Sequence, residues 1–115
     1  MKKTHQLVRQ SCQPKTKATT EQIDSVNRGV FPDEKSIKCY VNCVLEMGQT
    51  MKRGKLNLKQ TIQQINQFTP EDQREKAISA TNMCKDAPNG IRDPCEASYA
   101  FLKCSKQHHP DGMIP

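Results

Sequence analysis

Six cysteines constrain this chain more than any other feature: Cys12, Cys39, Cys43, Cys84, Cys95 and Cys104, with 26, 3, 40, 10 and 8 residues between them. An even count in 115 residues reads as a disulfide framework rather than scattered thiols. Disulfides persist in oxidising compartments, so the sequence predicts a secreted, extracellular protein. The rest of the composition explains why crosslinks are needed. Only 34% of the residues are hydrophobic and there is no Trp, which makes for a lean core. Three bridges would each contribute about 2–4 kcal/mol towards holding it.

The length suits one domain over residues 1–115. No stretch approaches the roughly 18 consecutive apolar residues of a membrane span, so stable membrane insertion is not expected. Met1-Lys2-Lys3-Thr4 resembles the basic head of a signal peptide, but His5-Gln6-Leu7-Val8-Arg9-Gln10 lacks the apolar run that should follow. The start therefore reads as a mature chain with an added initiator Met1, and His5 as an ordinary surface residue.

The net charge of +6 invites a nucleic-acid or anionic-lipid partner. The pattern does not support one. The densest run, Lys52-Arg53-Gly54-Lys55, is short, and elsewhere acids are interleaved with bases. Two Tyr and three Phe are too few for a base-stacking platform. The expectation is a solvated basic surface and no nucleic acid partner.

Apolar residues recur at helical spacing throughout, which predicts an all-α fold without a sheet. Leu7, Val8, Ser11 and Cys12 mark a first helix that Pro14 should interrupt or kink. Thr19 and Gln22 form a capping box for a second helix carrying Ile23 and Val26, and Gly29 suits its left-handed stop. Pro32-Asp33-Glu34 opens a third, with Ile37, Val41, Val44 and Met47 along one side. Gly54 falls in the basic turn after it. Asn57 caps a fourth with Leu58, Ile62 and Ile65 on one face. Thr69-Pro70-Glu71 starts a fifth, with Thr69 as cap, running to about Cys84. Pro88-Asn89-Gly90 is a turn, and Asp93-Pro94-Cys95-Glu96 starts a sixth.

The sixth helix carries two apolar stripes, Cys95-Tyr99-Leu102 and Ala97-Phe101-Cys104, so it should lie buried between partners. Cys95 and Cys104 would sit roughly 13–14 Å apart along its axis, too far to bond. Cys39 and Cys43 lie one turn apart on the third helix, where a bridge would strain the turn and constrain almost no chain. Excluding both pairs leaves ten of fifteen connectivities open.

These intervals, with Cys39-Tyr40-Val41-Asn42-Cys43-Val44 and Tyr99-Ala100-Phe101-Leu102-Lys103-Cys104, resemble the insect odorant-binding proteins of the pheromone/general odorant-binding class. The resemblance runs from about residue 4 to the end. It implies the pairing Cys12–Cys43, Cys39–Cys95 and Cys84–Cys104, and a compact six-helix box enclosing an apolar cavity. It implies reversible carriage of small hydrophobic molecules, odorants or pheromones, in sensillum lymph if the role is olfactory. The partners it implies are that ligand and a chemoreceptor, for a monomer or weak homodimer without cofactor or metal. Related taste, reproductive or salivary carriers share the fold and stand as the alternative.

Candidate wall residues are Met47, Met51, Leu58, Ile62, Ile65, Phe68, Ile78, Tyr99 and Phe101; the five Met residues of the chain suit varied ligand shapes. Thr50 and Tyr99 are candidates for orienting a polar head group, although a hydroxyl like that of Thr50 commonly bonds a backbone carbonyl one turn back. The tail from Ser105 to Pro115 is long enough to cover a cavity mouth, with Met113 and Ile114 as an apolar lid. His108 and His109 would charge near pH 6 and loosen it; a frayed end is the plain alternative.

Other classes fit less well. With six bonded cysteines and no Ser/His/Asp or paired-carboxylate arrangement, an enzyme is not expected. Cys39-x3-Cys43 with His108 and His109 offers zinc ligands, but paired C-x2-C knuckles are absent. A salivary amine trap would want a buried acid, and none is evident. A membrane-active peptide is suggested by charge alone and opposed by three crosslinks.

Overall fold

The computed structural model describes residues 2–115, with side chains from Gln6 onward. Met1 and the side chain of His5 lie outside the described residues. Six helices follow one another: α1 (Lys2–Thr16), α2 (Thr20–Asn27), α3 (Lys35–Met47), α4 (Leu58–Phe68), α5 (Glu71–Met83) and α6 (Pro94–His108). Between α3 and α4 lies a small hairpin, β1 (Met51–Lys52) and β2 (Lys55–Leu56). No helix among the described residues is long and apolar enough to cross a membrane.

The helix boundaries follow local chemistry. Thr19 accepts from the Gln22 amide at 3.1 Å while Gln22 Oε1 accepts from the Thr19 amide at 2.9 Å, completing the capping box. At the other end of α2, Gly29 adopts φ 90°, and the amides of Gly29 and Val30 reach back to the carbonyls of Val26 and Ser25. That is the Schellman arrangement, which needs a left-handed residue at Gly29. Asn57 caps α4 through the Gln60 amide, and Asp93 caps α6 through the Cys95 amide.

Four local expectations are corrected. Pro14 does not interrupt α1, which continues to Thr16. So near the helix end, proline forfeits one backbone bond, and the preceding turn is pinned by the Cys12–Cys43 bridge. The third helix begins at Lys35 rather than at Pro32-Asp33-Glu34, because the Asp33 carboxylate is engaged with Lys38 and caps nothing. Thr69 ends α4 instead of capping α5; Pro70 occupies the cap position, and the acids Glu71 and Asp72 supply the favourable charge. The all-α expectation holds for the fold, but its no-sheet clause fails at the hairpin. Arg53 and Gly54 both have positive φ, 52° and 81°, the pattern of a type I′ turn that matches strand twist. The Thr50 carbonyl and Asn57 amide add a bond at 2.8 Å beyond the strands. The Arg-Gly turn is inconspicuous in sequence because Asn-Gly or Asp-Gly is the usual signal.

The disulfides are Cys12–Cys43, Cys39–Cys95 and Cys84–Cys104, with Cα separations of 5.7, 4.5 and 5.8 Å. They are the set the resemblance implies, and no cysteine is free. They tie α3 to α1 and to α6, and the end of α5 to α6. The main core lies among α1, α2, α3 and α6, around Ile23, Val26, Ile37, Tyr40, Val41 and Tyr99.

Candidate functional site

Helix α6 divides the molecule. Its stripe Cys95-Tyr99-Leu102 faces α3: Cys95 is bonded to Cys39, Tyr99 belongs to the core and Leu102 packs against it. The stripe Ala97-Phe101-Cys104 faces the other way. A Cβ on Gly54 of the hairpin would lie 3.8 Å from Ala97 Cβ, and Cys104 is bonded to Cys84 at the end of α5. Helix α4 packs against α5, and its Gln64 reaches the end of α3, where a Cβ on Gly48 would lie 3.4 Å from Gln64 Oε1. The second face of α6, the hairpin, α4 and α5 therefore form one connected group.

The apolar residues of this group are packed unevenly. Met51 and Phe101 are buried. The stripe Leu58-Ile62-Ile65 on α4 is only half-buried, as is Ile78 on α5, and Thr61 is the one fully buried residue of α4. A helix this amphipathic ordinarily hides its apolar stripe against neighbours. Here part of the apolar surface of the stripe is left open to solvent.

The remaining sequence candidates sit elsewhere. Met47 is 47% exposed, with its sulfur 3.5 Å from Cys12 Sγ over the first bridge. Phe68 is equally exposed at the end of α4. Thr50 is buried beyond the end of α3, and its main chain, not its hydroxyl, carries the structural bonds, to Leu45 and Asn57. Tyr99 donates to the Pro32 carbonyl at 2.7 Å and meets Phe31 edge-on at 5.5 Å. Burial pushes its hydroxyl pKa up to about 12. Lys38 lies 5.9 Å over the Tyr99 ring and pairs with Asp33 and with Glu96, the latter at 2.7 Å. Those two hydrogen bonds raise the Lys38 pKa, and the same contact holds the Asp33 carboxyl below its usual range.

The tail is shorter than expected, because Ser105–His108 forms the last turn of α6. From His109 onward it is anchored. The buried Lys106 ammonium donates to the carbonyls of Pro110 and Gly112, each at 2.6 Å, and burial lowers its pKa. Asn27 holds Ile114 by two bonds, and Arg9 Nε donates to the main-chain oxygen of Pro115 at 3.1 Å. Ile114 packs on the core, Met113 is 69% exposed, His108 is exposed and His109 is buried. The tail thus lies on the α1–α2 side, away from the α4 stripe.

Open grooves mark the surface of the described residues. One of about 720 Å³ runs along α5 past Glu71, Arg74, Ile78 and Met83. Another, about 420 Å³, runs along α1 past Gln6, Arg9, Gln10, Gln13 and Pro14. Cys84, Cys104 and His108 bring donor atoms within 4.8 Å of one another, but the two sulfurs are bonded together and are no thiolate ligands.

Sequence reasoning passed over Tyr40, Arg9, Asn27 and Lys106. Tyr40 had a legible signal: it falls between Ile37 and Val44 at steps of three and four, which places a phenol in the core where its hydroxyl needs a partner.

Comparison with known proteins agrees with this architecture. The model of the PBP/GOBP family matches residues 1–108. General odorant-binding protein 72 of Anopheles gambiae is 38% identical over 115 residues, covering 100% of this chain and 95% of that protein. General odorant-binding protein 19a of Drosophila melanogaster is 34% identical over 89% of this chain and 72% of its own length. The crystal structure of odorant binding protein 4 of Chrysopa pallens superposes with a TM-score of 0.88 at 39% identity, covering 98% of this chain and 93% of that one.

Proposed function

The chain belongs to the PBP/GOBP family, and we propose that it is an extracellular carrier that reversibly binds small hydrophobic molecules, odorants or pheromones, between its helices. The supporting observation is the half-buried Leu58-Ile62-Ile65 stripe beside the buried Met51 and Phe101. Moving an apolar ligand from water onto such a wall gains about 25 cal/mol per Å² buried. The three crosslinks offset the packing that a ligand space sacrifices. No thiolate nucleophile is available, since every cysteine is bonded.

The test is displacement of a fluorescent apolar probe by a panel of volatiles of about 8–18 heavy atoms. Micromolar binding, about 8 kcal/mol, lies within ligand-efficiency bounds for that size. A protein that binds none of them, yet binds single-stranded DNA or anionic vesicles at physiological salt, is not a carrier.

A further inference from the structure

Helix α5 turns its small residues inward. Ala80 and Thr81 are buried, as is Cys84 at its end. Its two large apolar residues, Ile78 and Met83, border the open groove instead, and Met83 is 60% exposed. An amphipathic helix ordinarily does the reverse. Apolar surface left outward in this way marks a contact surface.

The polar residues around Ile78 identify the occupant. Glu71 precedes Ile78 by seven residues and Lys85 follows it by seven. Seven residues make about two helical turns, so the three fall in one line along the helix and the turn that ends it. Arg74 and Asn82 lie in the same line, four residues to either side of Ile78. Glu71 and Lys85 are exposed, and among the described residues neither is engaged in an ion pair. Arg74 donates to the Thr69 carbonyl through Nε, which leaves its terminal nitrogens for another acceptor. Reversed about Ile78, the line sets Glu71 against Lys85 and Arg74 against Asn82. The face is complementary to itself turned end for end.

From this pattern we infer that the outer face of α5 is a contact surface between two copies of this chain, lying antiparallel across a two-fold axis at Ile78. Each Glu71 then meets the partner's Lys85, and each Arg74 meets the partner's Asn82. Ile78 packs on the partner's Ile78. Because the contact is isologous, every pair forms twice. A parallel pairing would set acid on acid and base on base. Two copies of a molecule with net charge +6 repel each other as wholes, so a face that cancels its own charge is where they can meet. One helix from each copy makes a small interface, and the dissociation constant should be about 10–100 μM. The inference goes beyond the carrier reading, since association across this face needs no ligand.

The experiment is sedimentation equilibrium of the full chain at physiological salt, from micromolar to millimolar concentration. A monomer–dimer equilibrium is expected. Glu71→Lys sets like charges at both ends of the contact and should weaken association about tenfold, and Lys85→Glu should do the same. The double variant Glu71→Lys, Lys85→Glu restores opposite charges and should recover the wild-type constant within about twofold. Both positions are exposed, so all three variants should melt close to the wild type and bind an apolar probe unchanged. A protein that stays monomeric throughout, a dimer indifferent to Glu71→Lys, or a double variant no better than the single ones overturns the inference. Each of those outcomes leaves the carrier reading standing, because probe displacement is measured separately on the monomer.

Discussion

Asn27 and Ile114 hold each other reciprocally across 87 residues of chain: the Ile114 amide donates to Asn27 Oδ1 at 2.9 Å, and Asn27 Nδ2 donates to the Ile114 carbonyl at 3.2 Å. One amide side chain therefore treats the chain end as a strand would. Asn27→Ala removes both bonds. Amide exchange at Ile114 should rise towards that of a free end, with a stability loss of about 1–3 kcal/mol for the two bonds. Unchanged exchange would mean that Ile114 packing alone holds the tail.

Loss of the Tyr99 hydroxyl should separate stability from ligand binding. Tyr99→Phe leaves the Pro32 carbonyl without its donor and should cost about 1–3 kcal/mol in chemical denaturation. Its effect on ligand affinity should be small, because the hydroxyl is already committed to the main chain. A Tyr99→Phe protein of full stability and lost binding would place that hydroxyl on the ligand instead.

The α4 stripe and the core should also separate by mutation. Ile37→Ala, in the packed core, should cost about 2–5 kcal/mol. Ile62→Ala and Ile65→Ala remove half-buried side chains and should cost well under that. They should nevertheless weaken displacement of an apolar probe several-fold. Equal stability losses at all three positions, with binding intact, would mark the stripe as ordinary packing.

The Asp33–Lys38 pair gives an acid-side prediction with a definite sign. Its hydrogen bond lowers the Asp33 pKa in the folded protein below the ordinary value of 3.8. The contribution is present above that value and lost as pH falls through the folded pKa. Lys38→Gln should return the Asp33 carboxyl towards 3.8 in an NMR titration. The effect on stability should be slight, since Asp33 is solvent-exposed. An Asp33 titration identical in both proteins would show that the pair does not persist in solution.

The bridge Cys84–Cys104 closes a loop of sequence separation 20. Replacing both cysteines with serine should cost about 3 kcal/mol. Because this bridge joins α5 to the second face of α6, probe binding should weaken more than with a comparably destabilising change in α2. Intact affinity in the serine variant would place the ligand away from α5.

Much of this molecule was legible without coordinates because its information is local. A capping box at Thr19 and Gln22, a left-handed Gly29 and the cap at Asp93 each follow from short-range backbone chemistry. The two stripes of α6 are a matter of helical period, and the cysteine intervals carry the family. Periodicity could also show that Leu58, Ile62 and Ile65 share a face. It could not show that the face is left half-covered, because burial depends on what neighbouring elements do. The hairpin escaped notice for the same kind of reason: Arg53 at positive φ is tolerated where Gly54 rests against Pro94 at the start of α6, a contact 40 residues away in sequence. Tyr99 could be read as a core residue or a ligand anchor, and only the Pro32 carbonyl across the molecule decided it. Tyr40 and Arg9 belong to different helices, and the chain end that meets Arg9 is 106 residues away. Local propensity is set by neighbours in the chain, and so the sequence determined the helices, while the cysteine pairing was legible only through the family resemblance. Which hydroxyl is satisfied, which stripe is covered and which main-chain oxygen sits on Arg9 are set by neighbours in space, and those were decided only when the helices packed.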